Sequence, residues 1–199
     1  FESKLDTGLF EFVKNKTIAT GLTVTNDGRK FATISTDRKV RVFQFLTGKL
    51  IRVYDETLAR FAETQQSTRA IPNMDFSRRI NNEKDIEKTD SLNYINIEFD
   101  QSGHFLLYST MIGIKMVNIE TNKCVKVLGK QDNIRPLHIC VFQGKIKRST
   151  AAVTLEQEAS DNAHTSVAIS DPTVFCTAFK KPRFYLYSRR LPSDVQEID

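Results

Sequence analysis

Short apolar segments separated by small polar turns run along most of this chain. In residues 26 to 49, "NDGRKFATISTDRKVRVFQFLTGK", Asp27-Gly28 and Thr47-Gly48 punctuate, Phe31 to Ser35 and Val40 to Phe45 are extended, and Thr36 to Lys39 is polar. Runs of Val, Ile, Phe and Tyr bounded by Gly and Asp predict β-strands joined by tight turns. The pattern recurs. Residues 28 to 49 match residues 103 to 123, "GHFLLYSTMIGIKMVNIETNK", with a one-residue gap after the glycine, which sets Ser35-Thr36 on Ser109-Thr110, Val40 on Ile114 and Val42 on Met116. A more worn copy, "FCTAFKKPRFYLY" at 175 to 187, overlays residues 31 to 43 without a gap and sets Phe31 on Phe175 and Phe43 on Tyr187.

Each copy gains a strand before its first turn ("IATGLTVT", "NYINIEFD") and one after its last ("LIRVYD", "CVKVLG"). Four strands in about 40 residues is the size of a propeller blade. A sheet apolar on both faces cannot stand alone in water, so such blades stack around an axis. The expected fold is all-β, a propeller segment of about three four-stranded blades with a helical insertion. Its parts are residues 1–16, the end of a preceding blade or a connection; blades at 17–56, 93–130 and 131–190; a charged helical insertion at 57–92; and the start of a linker at 191–199.

The insertion opens with "DETLARFAETQQ", where Leu58, Phe61, Ala62 and Gln65 keep helical spacing behind Asp55 as the expected cap, and Pro72 ends the run. "MDFSRRINNEKDIEKTD" reads as a second short helix, and the whole as a solvated excursion on the propeller rim. Residues 144–170, poor in aromatics and rich in small polar residues, read as a long loop inside the third blade.

The chain of 199 residues is 40% hydrophobic, enough for a substantial core, and contains no apolar run of membrane-spanning length, so no membrane partner is expected. Cys124, Cys140 and Cys176 are odd in number and unlike a zinc or redox pair in spacing, and are expected to be buried reduced thiols. His104, His138 and His164 have no carboxylate, Cys or second His at a spacing that suits a metal site or triad, and no Gly-rich phosphate loop is present. The expectation is therefore no catalytic residue, no metal and no cofactor.

"STDRKVRVFQFLTGK" resembles the latter half of a WD repeat. That likeness makes Asp37 the structural turn aspartate and puts Phe43 where the repeat usually carries tryptophan; Asp27, Gly28, Gly48 and Gly103 fill the remaining turn positions. The departures are the absence of Trp, Gln44 at the usual aspartate position, and no Gly-His pair before a first strand, since Gly103-His104 lies between strands. Longer strings, "SKLDTGLFEFVKNKT", "DRKVRVFQFLTGKLIRVYDE", "GIKMVNIETNKCVKVLGKQDNIR" and "DPTVFCTAFKKPRFYLYSRR", are similar to the spliceosome-associated WD-repeat cyclophilins over nearly the whole chain. The resemblance implies the second half of an N-terminal propeller that binds spliceosomal proteins in the nucleus. It also implies that the missing blades belong to the same parent chain and that a peptidyl-prolyl isomerase domain lies beyond Asp199.

The net charge of +5 and pI near 9.1 permit contact with acidic proteins or nucleic acid without demanding either. Basic residues cluster at Arg38-Lys39-Arg41, Arg78-Arg79, Lys145-Lys147-Arg148, Lys180-Lys181-Arg183 and Arg189-Arg190. The overlay places the first and fourth clusters at equivalent turns, so Arg38, Lys39, Lys180, Lys181 and Arg183 are expected on one end of the disc as a partner-contact face, with Arg78 and Arg79 as further candidates. The competing reading is a nuclear scaffold that contacts the RNA phosphate backbone directly. Phe43, Phe45, Phe184 and Tyr187 are expected in the core, which leaves no exposed aromatic ladder for base stacking.

Overall fold

A computed structural model describes residue 3, residues 6–146 and residues 169–189. Most of the expected loop at 144–170, with Lys147, Arg148 and His164, lies outside the described residues, as do Arg190 and the expected linker at 191–199. The first blade consists of β1 (Ala19–Val24), β2 (Lys30–Ser35), β3 (Lys39–Gln44) and β4 (Leu50–Asp55), paired antiparallel in that order. The second repeats it with β5 (Ile97–Phe99), β6 (Phe105–Thr110), β7 (Gly113–Asn118) and β8 (Lys123–Leu128). In the third sheet β9 (Pro136–Phe142) pairs β12 (Thr173–Ala178), which pairs β13 (Phe184–Tyr187). That sheet has three strands among the described residues, not the four expected. A small hairpin of β10 (Lys145–Ile146) and β11 (Ile169–Ser170) stands between β9 and β12.

The sheets stack face on face. Ala32, Ile34, Val40 and Val42 of the first sheet share one buried cluster with Ile97, Phe99, Leu106, Tyr108 and Val117 of the second. The opposite face of the second sheet, through Leu107 and Ile114, joins Ile139, Val174 and Cys176 of the third. The first strands of the blades are neighbours, β1 beside β5 and β5 beside β9. Asn96 ties the last two by donating to the Ile139 carbonyl at 2.7 Å and accepting from its N–H at 2.7 Å.

Strand pairing corrects both repeat overlays. Phe31 pairs Val24 and Leu106 pairs Phe99, so Phe31 corresponds to Leu106 and Ser35 to Thr110, while Val40 does correspond to Ile114. The gap belongs in the turn between the second and third strands, not after the glycine. In the third copy the same turn is one residue longer than in the first: Thr177 pairs Phe184, whereas Thr33 pairs Arg41 and Ile34 pairs Val40. Phe43 then meets Tyr187 as expected, but Phe31 meets Val174, because a one-residue slip turns every side chain to the other face.

The insertion holds α2 (Leu58–Thr68) and α3 (Asn73–Glu87). Thr57 caps α2, its hydroxyl accepting from the Arg60 N–H, and the expected cap Asp55 instead accepts from the Thr57 N–H at 2.9 Å. The second helix is the longer one, and it is not a solvated excursion: Arg79, Glu83 and Ile86 along one side are buried.

Other expectations change as well. Cys176 is buried, but Cys124 and Cys140 are exposed. Phe43 is fully buried, stacked on Phe31 at 4.9 Å and on Phe12 at 5.9 Å, while Phe45 and Phe184 are exposed. Phe12 comes from α1 (Glu11–Lys14), so Phe43 packs beneath the N-terminal segment. That face of the first sheet leaves Leu22 and Val53 open, and the far face of the third sheet leaves Phe184 and Leu186 open.

Candidate functional site

The turns between the second and third strands of all three sheets reach α3. Arg38, in the first such turn, is held by Glu83 through Nη1 and by Glu87 through Nη2 at 3.1 Å. Met111, in the second, gives its carbonyl to Arg79 Nη1 at 3.1 Å. Lys180, in the third, donates to Asp85 at 2.7 Å. Arg135, just before β9, binds the other oxygen of Glu83 through Nε. A carboxylate with no exposed surface therefore sits between two guanidiniums drawn from different sheets. Burial pulls Arg135 below the ordinary arginine range, and the charge of Glu83 opposes that shift.

Such a buried pair is costly to desolvate and more costly to break. Arg38, expected on the partner-contact face, is corrected: its side chain is 12% exposed and neutralised. Arg79 is corrected likewise: it is 5% exposed and bonds to the carbonyls of Met111 and Lys130, so it is no surface contact. Arg78 is exposed and lies 3.7 Å from Asp75. Lys39 is half-buried on the first turn, and Lys181 and Arg183 are exposed on the third, with Arg183 over the Tyr185 ring at 5.7 Å. Both basic turns thus lie at one end of the stack, and α3 occupies the space between them. The signal for this was in the acids of α3, Glu83, Asp85 and Glu87, whose partners are distant in sequence.

The turn residues have local work. Asp37 accepts from the Lys39 N–H at 3.1 Å and from both terminal nitrogens of Arg41, at 3.1 and 2.5 Å, which holds the turn and gives a buried guanidinium its counter-charge. Asp27 accepts from the Thr25 hydroxyl at 2.6 Å and the Arg29 N–H at 3.0 Å; these bonds hold its carboxyl below the ordinary value, that to Thr25 most. Gly28, Gly48 and Gly103 adopt φ of 67°, 61° and 71°, a region that favours glycine.

Beside α3, Glu56 accepts from Tyr108 at 2.8 Å and from Lys115 at 2.6 and 2.8 Å, and Lys115 lies 5.0 Å from the centre of the Phe61 ring. Burial, then the charge of Glu56, raises the Tyr108 phenol well above its ordinary value. A cavity of about 210 Å³ opens here between α2 and the second sheet. A second, of about 330 Å³, lies at the corner between α2 and α3. Among the described residues no group of three His, Cys, Asp or Glu side chains is placed to hold a metal ion. The described helices include none long and apolar enough to cross a membrane.

No family model matches the chain. The human protein named "Peptidylprolyl isomerase domain and WD repeat-containing protein 1" is 50% identical over 199 residues, which is all of this chain and 31% of that protein. "Peptidyl-prolyl cis-trans isomerase CYP71" of Arabidopsis thaliana is 40% identical, over 99% of this chain and 32% of its own length. "Peptidyl-prolyl cis-trans isomerase 9" of Schizosaccharomyces pombe is 35% identical, over 94% and 32%. The chain thus spans about a third of these relatives. The solved WD40 domain of SCAP from fission yeast aligns with 88% of the chain and 31% of its own, at a TM-score of 0.38 and 10% identity. Along its whole length the chain is similar to the peptidylprolyl isomerase and WD repeat-containing proteins, of which it spans about a third, and its repeated antiparallel sheets stacked face on face are consistent with a propeller segment.

Proposed function

We propose that this chain is the protein-binding scaffold of a nuclear WD-repeat cyclophilin that acts in pre-mRNA splicing, and that it carries no isomerase activity itself. The observation that carries the reading is a division of labour. The relatives are named for an isomerase and for WD repeats, and the third of their length that this chain matches folds as stacked blades. Propeller blades present turns and sheet edges around a rigid body, a form suited to holding partners. The test uses the full-length protein, tagged and recovered from nuclear extract. Spliceosomal proteins are expected to co-purify before and after RNase treatment. Their loss with RNase would favour direct RNA contact, and their absence throughout would refute the reading. In a peptide assay the chain alone is expected to leave prolyl isomerisation at its uncatalysed rate.

A further inference from the structure

Arg79 is 5% exposed, yet it forms no ion pair among the described residues. Its terminal nitrogens bond to two carbonyls and its Nε has no hydrogen-bond partner. Burial pulls Arg79 below the ordinary arginine range and the nearby charge of Asp75 opposes that shift without an ion pair, so the buried guanidinium keeps a positive charge that is only partly compensated. Arg79 lines the cavity of about 330 Å³ together with Lys130, whose side chain is exposed and has no ion pair among the described residues. Asp75 lies on the same wall, but it is engaged by Arg78 at 3.7 Å and by the Asn133 amide at 3.3 Å. The N-terminus of α3 adds to the positive field, because Pro72 offers its first turn no side-chain cap. Ala70, Ile71 and Lys130 also line the neighbouring cavity of about 210 Å³, which makes one groove of the two. Its middle is apolar, with Ile71, Phe76 and Ile112, and at its other end Lys115 is already neutralised by Glu56.

We infer that this groove binds an extended acidic and aliphatic peptide segment of a protein partner, its aliphatic side chain against Ile71, Phe76 and Ile112 and a carboxylate at Arg79 and Lys130. The inference rests on the protein-binding reading and adds the place and chemistry of contact. A peptide suits the groove better than RNA because neither aromatic residue lining it presents an exposed ring for base stacking: Phe61 and Phe76 are half-buried, and Lys115 covers the first.

The test is fluorescence anisotropy on the full-length protein with a labelled peptide in which Leu and Ile are flanked by Asp and Glu. Saturable binding is expected, weakened at least about tenfold by Lys130→Glu and weakened as salt rises. Lys130 is exposed, so the variant keeps the fold, which its melting temperature verifies. Ile112→Ser is a second variant expected to weaken binding. Equal binding by both variants, equal binding of a peptide with Lys in place of the acids, or displacement by oligouridylate at lower concentration than by unlabelled peptide would overturn the assignment. Failure here with spliceosomal capture intact would sink the groove and leave the scaffold reading standing.

Discussion

At the scale of single residues, stability concentrates where the sequence looked ordinary. Phe43 has no exposed surface and stacks on two other rings, so Phe43→Ala is expected to cost about 3–5 kcal/mol in urea unfolding. Glu83 was one acid among many in a charged stretch. Because it faces both Arg38 and Arg135 with no exposed surface, Glu83→Ala is expected to cost about 3–5 kcal/mol. Lys180→Glu breaks a pair whose partners are 62% and 42% exposed, and is expected to cost below about 1 kcal/mol. The thiols separate in the same way. Ellman's reagent is expected to modify Cys124 and Cys140 in the folded chain and Cys176 only on unfolding. Burial, helped by the charge of Asp132, pushes the Cys176 thiol up to about 11 from an ordinary 9.0. A raised folded pKa means its contribution is intact below pH 9 and is lost as the pH climbs toward 11, where the unfolded thiol ionises first.

At the scale of elements, strands and turns were legible because period-two patterning and Gly, Asp and Asn turns are local properties. The slip between copies was not. The second strands, "KFATIS" and "FLLYST", carry one charged residue between them, Lys30 at the first position, and are otherwise buried or half-buried on both faces, so alternation does not mark which face is which. Only the length of the following turn does. In the second blade that turn ends at Gly113, whose φ is 141°, and a Cβ there would lie 2.3 Å from the Leu128 carbonyl oxygen. Gly113→Ala is expected to lose at least about 1–3 kcal/mol in thermal unfolding, with β8 the first element to show faster amide exchange. The second helix was legible as a helix. Its burial was not, because Arg79 and Glu83 are polar residues that become interior only when turns from three sheets close around them, and no local pattern encodes that. The candidate groove was equally invisible, since Arg79 read as one half of a surface pair with Arg78.

At the scale of the whole molecule, the two outermost sheet faces behave as cut surfaces. Leu22 is 64% exposed on one and Phe184 is 65% exposed on the other, each beside further apolar side chains. Contiguous apolar faces of this kind drive association. The isolated chain is expected to bind an apolar dye and to sediment above its monomer mass, and Leu22→Lys with Phe184→Lys to reduce both. In the full-length protein the same two residues are expected to be protected from solvent, and the pair of lysines to lower its melting temperature. A monomeric isolated chain with no dye binding would show that these faces need no neighbours.

The network around α3 also sets an order of events in synthesis. The helix leaves the ribosome after Arg38, but Arg135 follows Glu83 by 52 residues and Lys180 follows Asp85 by 95. Until those residues emerge, a nascent chain carries a helix with its carboxylates half answered and a stack one sheet short. Chains grow from the N-terminus at a few residues per second or faster. Several seconds of translation therefore separate the helix from its last partner, and a nascent chain arrested near residue 130 should leave α3 open to protease while one arrested well past residue 190 should not.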